Sequence, residues 1–298
     1  MVYYNPKVWF SLIFHAYSRG VMKTLTPAII FMTVYAAGLC YLLLGVLHLH
    51  ESNFKTTISM HSLLGIVLGL FLVFRTNSSY DRWWEGRKLW GSLVNNTRNL
   101  ALKINAFVDP ADNDTRVWFA KMIPNFAFAV KEHLRKGIKL NELDIVDDRF
   151  LENLADIKHI PNRLSAMMYV RTNTLYKKNQ ISGDQLFLLD KELKEFIDIL
   201  GACERIKNTP IPYNYSMYIK QFIFIYLITL PLAFITSSGY LTIPMVMLVT
   251  FILLSVELIS EEIEDPFGRD VNDLPTDDLA EKIRDNVNEI LLPDKKLF

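Results

Sequence analysis

Cysteine is scarce: Cys40 and Cys203 are the two in 298 residues, too few for a disulfide framework. One falls in an apolar run and the other in a polar stretch, so both are expected to be inert packing residues. A net charge is also missing, since 32 Lys and Arg balance 32 Asp and Glu. Without a basic excess, nucleic acid is not an expected partner. No P-loop, dinucleotide glycine motif, nucleophile elbow or HExxH occurs, so no catalytic residue is assigned. There is no transporter-type repeat and no low-complexity segment. No window sustains the two-residue alternation of a half-buried strand, which leaves helix as the regular structure.

What the chain does have is hydrophobicity gathered into runs. Residues 26–47 contain no charged side chain in 22 positions, enough to cross a hydrocarbon core of roughly 30 Å as a helix. Ser59 to Phe74 is free of Asp, Glu, Lys and Arg for 16 positions, and Gln221 to Val256 for 36. The longest run is broken by Ser237-Ser238-Gly239, which predicts two spans and a tight turn. Four transmembrane helices are therefore expected. The presumed outer turns, 48–58 and 237–241, hold one basic residue, Lys55, against 31 elsewhere. By the positive-inside rule both termini and the long central region are cytoplasmic. The first run is too long for a signal-peptide core and no small-x-small site follows it. Leu39 sits where a lipoprotein box before Cys40 needs a small residue.

The expected organisation is all-α, with four transmembrane helices per subunit and a large cytoplasmic helical domain. Residues 1–25 form a cytoplasmic, interfacial N-terminal helix with Trp9 and Phe10 at headgroup depth. Residues 26–91 hold transmembrane helices 1 and 2, and 92–215 the cytoplasmic helical domain. Residues 216–258 hold helices 3 and 4, and 259–298 an acidic loop and a C-terminal helix. Pro124 is expected to kink one cytoplasmic helix, Ser182-Gly183-Asp184 to open another, and Thr276 to cap the last. Leu279, Ile283, Val287 and Leu291 stripe that last helix and need a partner, either the cytoplasmic domain or another subunit.

The second run passes without proline into FLVFRTNSSYDRWWEGRKLWG (71–91), so one helix leaves the membrane and continues into water. Gly65 and Gly69 form a GxxxG pair that lets another backbone approach. Ile66, Leu70 and Phe74 make a second stripe, read either as lipid- or core-facing residues or as a hydrophobic constriction. Four spans cannot enclose a water path, so a pore requires several subunits. Arg75 to Arg82 then form a polar wall for a wider vestibule, with Trp83, Trp84 and Trp90 at a membrane or subunit interface.

Acids gather in VELISEEIEDPFGRDVNDLP (256–275), as a hard-cation site or as a helix end neutralised by Arg and Lys. The alternating Asp spacing of an EF-hand is absent. His48, His50 and His61 lack partners for a metal set, and Glu51 is the one nearby carboxylate.

Three stretches together resemble the bestrophin family in its compact prokaryotic form, the chloride-channel family of multi-pass membrane proteins. They are SLLGIVLGLFLVFRTNSSYDRWWEGRKLWG (62–91), CERIKNTPIPYNY (203–215) and EEIEDPFGRDVNDLP (261–275). The resemblance covers nearly the whole chain. It implies a homopentamer in the bacterial inner membrane, in contact with lipid, passing monovalent ions along one central pore. It places the pore neck on Ile66, Leu70 and Phe74, with Leu70 where animal members carry an aromatic. A cytosolic aperture falls at Asp184, where an apolar residue is usual; five carboxylates there would favour cations. Glu262, Asp265, Asp270 and Asp273 fall on the side-chain positions of the calcium clasp of animal members, with Arg269 replacing an acid. Calcium is thus the one candidate ligand, and no cofactor is required. Two other classes stand against a channel: a membrane enzyme holding a divalent metal on the acidic cluster, and a non-conducting scaffold.

Overall fold

The computed structural model of the chain describes residues 20–48, 55–147 and 150–292, apart from 136, 138, 151 and 156. The expected interfacial helix, with Trp9 and Phe10, lies outside the described residues except for its last few positions; His50 and Glu51 also lie outside them. All regular structure among the described residues is helical. Helix α1 (Gly20–Cys40) runs on into a π-helical turn at Tyr41–Val46. It is followed by α2 (Lys55–Phe107), α3 (Asn113–Arg135), a one-turn α4 (Glu152–Ala155) and α5 (Ile160–Lys177). The chain ends with α6 (Gly183–Asn208), α7 (Tyr213–Ser238), α8 (Thr242–Glu264) and α9 (Thr276–Leu291).

Three described segments are long and apolar enough to cross a membrane: Met22–Val46, Ile58–Phe107 and Tyr213–Glu264. The third is divided at Gly239–Leu241 into α7 and α8, at the predicted break. Gly239 has φ 56°, a left-handed value that glycine adopts without steric cost.

The chain forms two compact units. One comprises Val2–Arg82 and Pro210–Glu264, the other Trp83–Thr209 and Asp265–Phe298, so the division falls inside α2. In the first unit α1 packs on α8 and α7, and α7 packs on α8. Their shared core takes Met32 and Ala36 from α1, Leu68 and Leu72 from α2, Ile223 from α7 and Val246 from α8. Many apolar side chains outside that core stay bare, such as Phe31, Phe224 and Leu248. Bare apolar surface of this kind suits a hydrocarbon solvent, provided the backbone is satisfied within helices.

In the second unit α3 is buried on nearly every side from Phe119 to Val130. A helix that is wrapped all round needs apolar or small residues at every position, and AVWFIM types dominate here. Pro124 lies inside α3, which continues through it to Arg135. Phe126 stacks on Phe196 of α6 with ring centroids 4.9 Å apart. Ser182 caps α6 as predicted, in a capping box with Gln185. Thr276 departs from its expected role: Pro275 precedes α9, and Thr276 is its first helical residue. The partner of the α9 stripe is α3, against which Ala280, Ile283, Val287 and Leu291 are buried.

Truncating Ile283 to Ala should destabilise this unit by about 2–5 kcal/mol, because a fully buried side chain leaves a cavity. Val170→Ala, at a position 67% exposed, should change stability by less than about 0.5 kcal/mol. Thermal melts of the detergent-purified chain distinguish the two.

Candidate functional site

Helix α2 is sorted by burial from His61 to Ile104. His61, Leu68, Leu72, Arg75 and Ser79 are buried, followed by Gly86, Trp90, Leu93, Thr97, Leu100 and Ile104. Steps of three and four residues keep these positions on one stripe. Ile66, Leu70 and Phe74 lie away from it and are 72%, 55% and 53% exposed. Asn77, Ser78 and Asp81 continue the bare face as a polar one. Leu63, Val67 and Val73 are also exposed, so exposure marks the face rather than three positions within it.

Among the described residues of one chain, Gly65 and Gly69 differ in what approaches them. A Cβ on Gly65 would stand 2.8 Å from the Tyr226 hydroxyl, whereas nothing lies within 4 Å of one on Gly69. The close approach to Gly65 is by one side chain of α7. His61 belongs to the same packing: its Nε2 is 3.2 Å from the Tyr226 carbonyl and its ring stacks on that tyrosine at 4.4 Å.

The polar stretch after Phe74 is not uniformly a vestibule wall. Arg75 is 1% exposed and turns inward, its Nη2 2.8 Å from Glu264 Oε2 and its Nε 3.8 Å from Glu257 Oε1. Thr76 Oγ1 meets Ser260 Oγ at 2.9 Å. Glu264 is a junction: its Oε1 accepts from the Ile211 N–H, and its carbonyl from Arg82 Nε. This set ties α2 to α8 and to the entry of α7. Sequence reasoning missed it, although Arg75 stands three and seven residues after Leu72 and Leu68, on their stripe.

The acidic cluster is partly neutralised by basic residues, as one of the two sequence readings holds. Lys220 Nζ is 3.0 Å from Glu261 Oε2, and Lys207 pairs with Asp265. Glu262 is half-buried on α8, in the first unit. In the second unit's loop, Arg135 Nε donates to the Phe267 and Gly268 carbonyls at 3.3 and 3.2 Å. Its Nη1 and Nη2 grip both Asp277 oxygens at 2.9 and 2.7 Å. Arg269 pairs with Glu132 at 3.3 Å, and Asp270 is exposed. Asp273 is 2% exposed and folds under the loop, where its Oδ2 accepts from the Asp270 N–H at 2.6 Å. A Cβ at position 268 would stand 2.5 Å from that same Oδ2, which is why glycine is needed there.

Within the second unit, the loop's own oxygens do not make a ready calcium site. The ion needs six to eight oxygens around one point. Here a guanidinium already holds the loop carbonyls, and Asp265 is spent on a lysine.

Asp184 lies exposed in the first turn of α6. Trp84 is half-exposed, but Trp90 is fully buried in its own unit and Trp83 donates to the Asn272 carbonyl at 2.9 Å. Cys40 and Cys203 are buried and unpaired with each other, and burial pushes the Cys203 thiol up to about 12. A thiol held this high stays protonated at neutral pH.

Residues 1–289 match the family described as Bacterial/Fungal Bestrophin protein. A voltage-dependent anion channel-forming protein of Nostoc sp. is 37% identical over 266 residues, covering 86% of each chain. One from Synechocystis sp. is 30% identical over 96% of this chain and 93% of its own. A bacterial bestrophin homologue from Klebsiella pneumoniae superposes with a TM-score of 0.79 at 27% identity, over 91% of this chain and 98% of the other. The chain is thus a mostly helical protein, with no strand among the described residues and with helices apolar enough to cross a membrane. It belongs to the bacterial/fungal bestrophin family. Family and relatives point to a channel rather than an enzyme.

Arg75→Ala should destabilise the chain by about 3–5 kcal/mol, since it strands Glu257 and Glu264 as buried charges. Lys220→Ala, breaking a more exposed pair, should cost less than about 1 kcal/mol in the same melts.

Burial, reinforced by the Asp270 and Asp265 charges, pushes Asp273 up to about 6 from an ordinary 3.8. Between those values the folded chain holds a proton that the unfolded chain has released, so stability falls as pH rises through the window. Asp277 is held well below its ordinary value by Arg135 and Lys131, so its stabilisation is lost only under about pH 4. Asp273→Asn should therefore flatten the pH 4–6 slope and leave the loss at lower pH intact, as read by melting temperature against pH.

Proposed function

We propose that this chain is a homopentameric anion channel of the bacterial inner membrane. Four helices of each subunit span the bilayer: α1, the N-terminal part of α2, α7 and α8. Both termini and the helical domain face the cytoplasm. The observation that carries the reading is the bare face of α2, where Ile66, Leu70 and Phe74 are more than half exposed among the described residues while the opposite stripe is buried. Five copies of that face around an axis would make a narrow apolar neck, which lets ions through only when it is wide enough to stay wet. Chloride as the permeant ion is supported by the anion-channel names of the relatives from Nostoc and Synechocystis.

A cation-conducting variant of the same channel rests on Asp184. That carboxylate is exposed near the start of α6. Repeated five times at the aperture it would attract monovalent cations and repel chloride. A neutral neck exerts little preference of its own, so the aperture would set the sign.

Purified protein in planar bilayers under a salt gradient tests both readings. Leu70→Ala and Phe74→Ala should raise conductance roughly several-fold by widening and wetting the neck. A reversal potential toward the chloride equilibrium, unchanged by Asp184→Ala, supports the anion channel. A cation-directed potential that Asp184→Ala moves toward chloride supports the second reading. Absence of current from wild type and both neck variants would overturn the channel.

A further inference from the structure

Far from α2's bare face in sequence, three metal-ligating side chains of the second unit meet. His133 stands in the last turn of α3, His159 immediately precedes α5, and Glu204 lies on α6. Their donor atoms all lie within 4.8 Å of one another. Glu204 Oε1 is 2.7 Å from His133 Nε2 and 2.8 Å from His159 Nε2. The two imidazole rings face each other at 4.4 Å between centroids, tilted by 40°.

Three basic residues near the cluster in sequence are engaged elsewhere. Arg135 is bound to Asp277, Lys131 to Glu142 and Asp277, and Arg205 to Glu85. Among the described residues the ion pairs of Glu204 are those with the two histidines. A carboxylate with two neutral imidazoles is a net-negative set of two nitrogens and one oxygen. We propose that His133, His159 and Glu204 bind a divalent transition-metal ion of the zinc class, tying α3, α5 and α6 together. Imidazole nitrogen selects zinc, cobalt, nickel or copper over calcium and magnesium, and three protein ligands leave a position for water.

His159 Nδ1 accepts from the Asn162 N–H at 3.3 Å, so its proton sits on Nε2 and points at Glu204. An ion replaces that proton, which moves to Nδ1 at the cost of a contact already long for a hydrogen bond. Tetrahedral donors about 2.0–2.1 Å from a metal stand roughly 3.4 Å apart, so the Glu204 oxygen must move away from the two nitrogens by about 0.6–0.7 Å. The three side chains are 24%, 34% and 27% exposed, which leaves both that freedom and an entry path. The site shares no residue with the acidic loop or with the bare face of α2.

The test uses the full chain in detergent, stripped with chelator and then titrated with Co2+ and Zn2+. Visible d–d bands from one Co2+ per chain, bleached by Zn2+ and indifferent to excess Ca2+, are expected. His133→Gln and Glu204→Gln should each weaken Zn2+ binding at least tenfold and abolish the melting-temperature rise that Zn2+ gives the wild type. Zinc X-ray absorption of the wild type should show two imidazoles in the first shell, a readout that needs no variant. No cobalt bands in the wild type, bands that both variants retain, or a zinc shell without two imidazoles would overturn the site.

Discussion

The burial of one stripe of α2 is the constraint on which the rest of the molecule depends. Positions spaced by three and four, from Leu68 through Leu72, Arg75 and Ser79 to Trp90, Leu93 and Leu100, are covered by other parts of the chain. Because the stripe holds its side over so many turns, the opposite side is left bare for just as long. Bareness at Ile66, Leu70 and Phe74 is thus a consequence of packing at Leu68 and Leu72, one or two residues away on the helix surface. A register shift of two residues, which turns a helix by about 200°, would exchange the covered and uncovered sets.

Arg75 shows how far that constraint reaches. It occupies a stripe position that in a simpler helix would be leucine, and two glutamates of α8 supply the compensating charge. A buried ion set of this kind contributes little net stability, because desolvation offsets the Coulomb attraction. Its effect is on geometry: an arginine committed to Glu264 and placed near Glu257 has few alternative partners in apolar surroundings. A similar arrangement recurs in the second unit, where Arg135 holds the Phe267 and Gly268 carbonyls and Asp277 at once. There a fixed guanidinium supplies the positive charge that the loop's oxygens would otherwise draw from an ion.

Much of the architecture was legible in the residues. The uncharged runs, the Ser-Ser-Gly break, the Ser182 cap and the α9 stripe follow from local rules of charge, turn chemistry and periodicity. The 66, 70 and 74 stripe was legible as a helical face, though not which of two environments it would meet. The inward turn of Arg75, the unequal use of Gly65 and Gly69, and the burial of Trp90 were not legible. Each depends on a partner distant in sequence, such as Glu264, Tyr226 or the core of the second unit. The His133, His159 and Glu204 cluster was invisible for the same reason, with 26 and 45 residues separating its members.

By itself the sequence determined the all-helical class, the apolar runs and the helix that passes without a break from apolar to polar residues. These are short-range consequences of hydropathy and backbone sterics, which act within a few residues. The tertiary structure alone decided which acids are neutralised by which cations, which loop carbonyls are already occupied and which face of α2 stays bare. Those outcomes depend on distances between helices far apart in the chain, and Coulomb attraction, desolvation and packing act across just such distances.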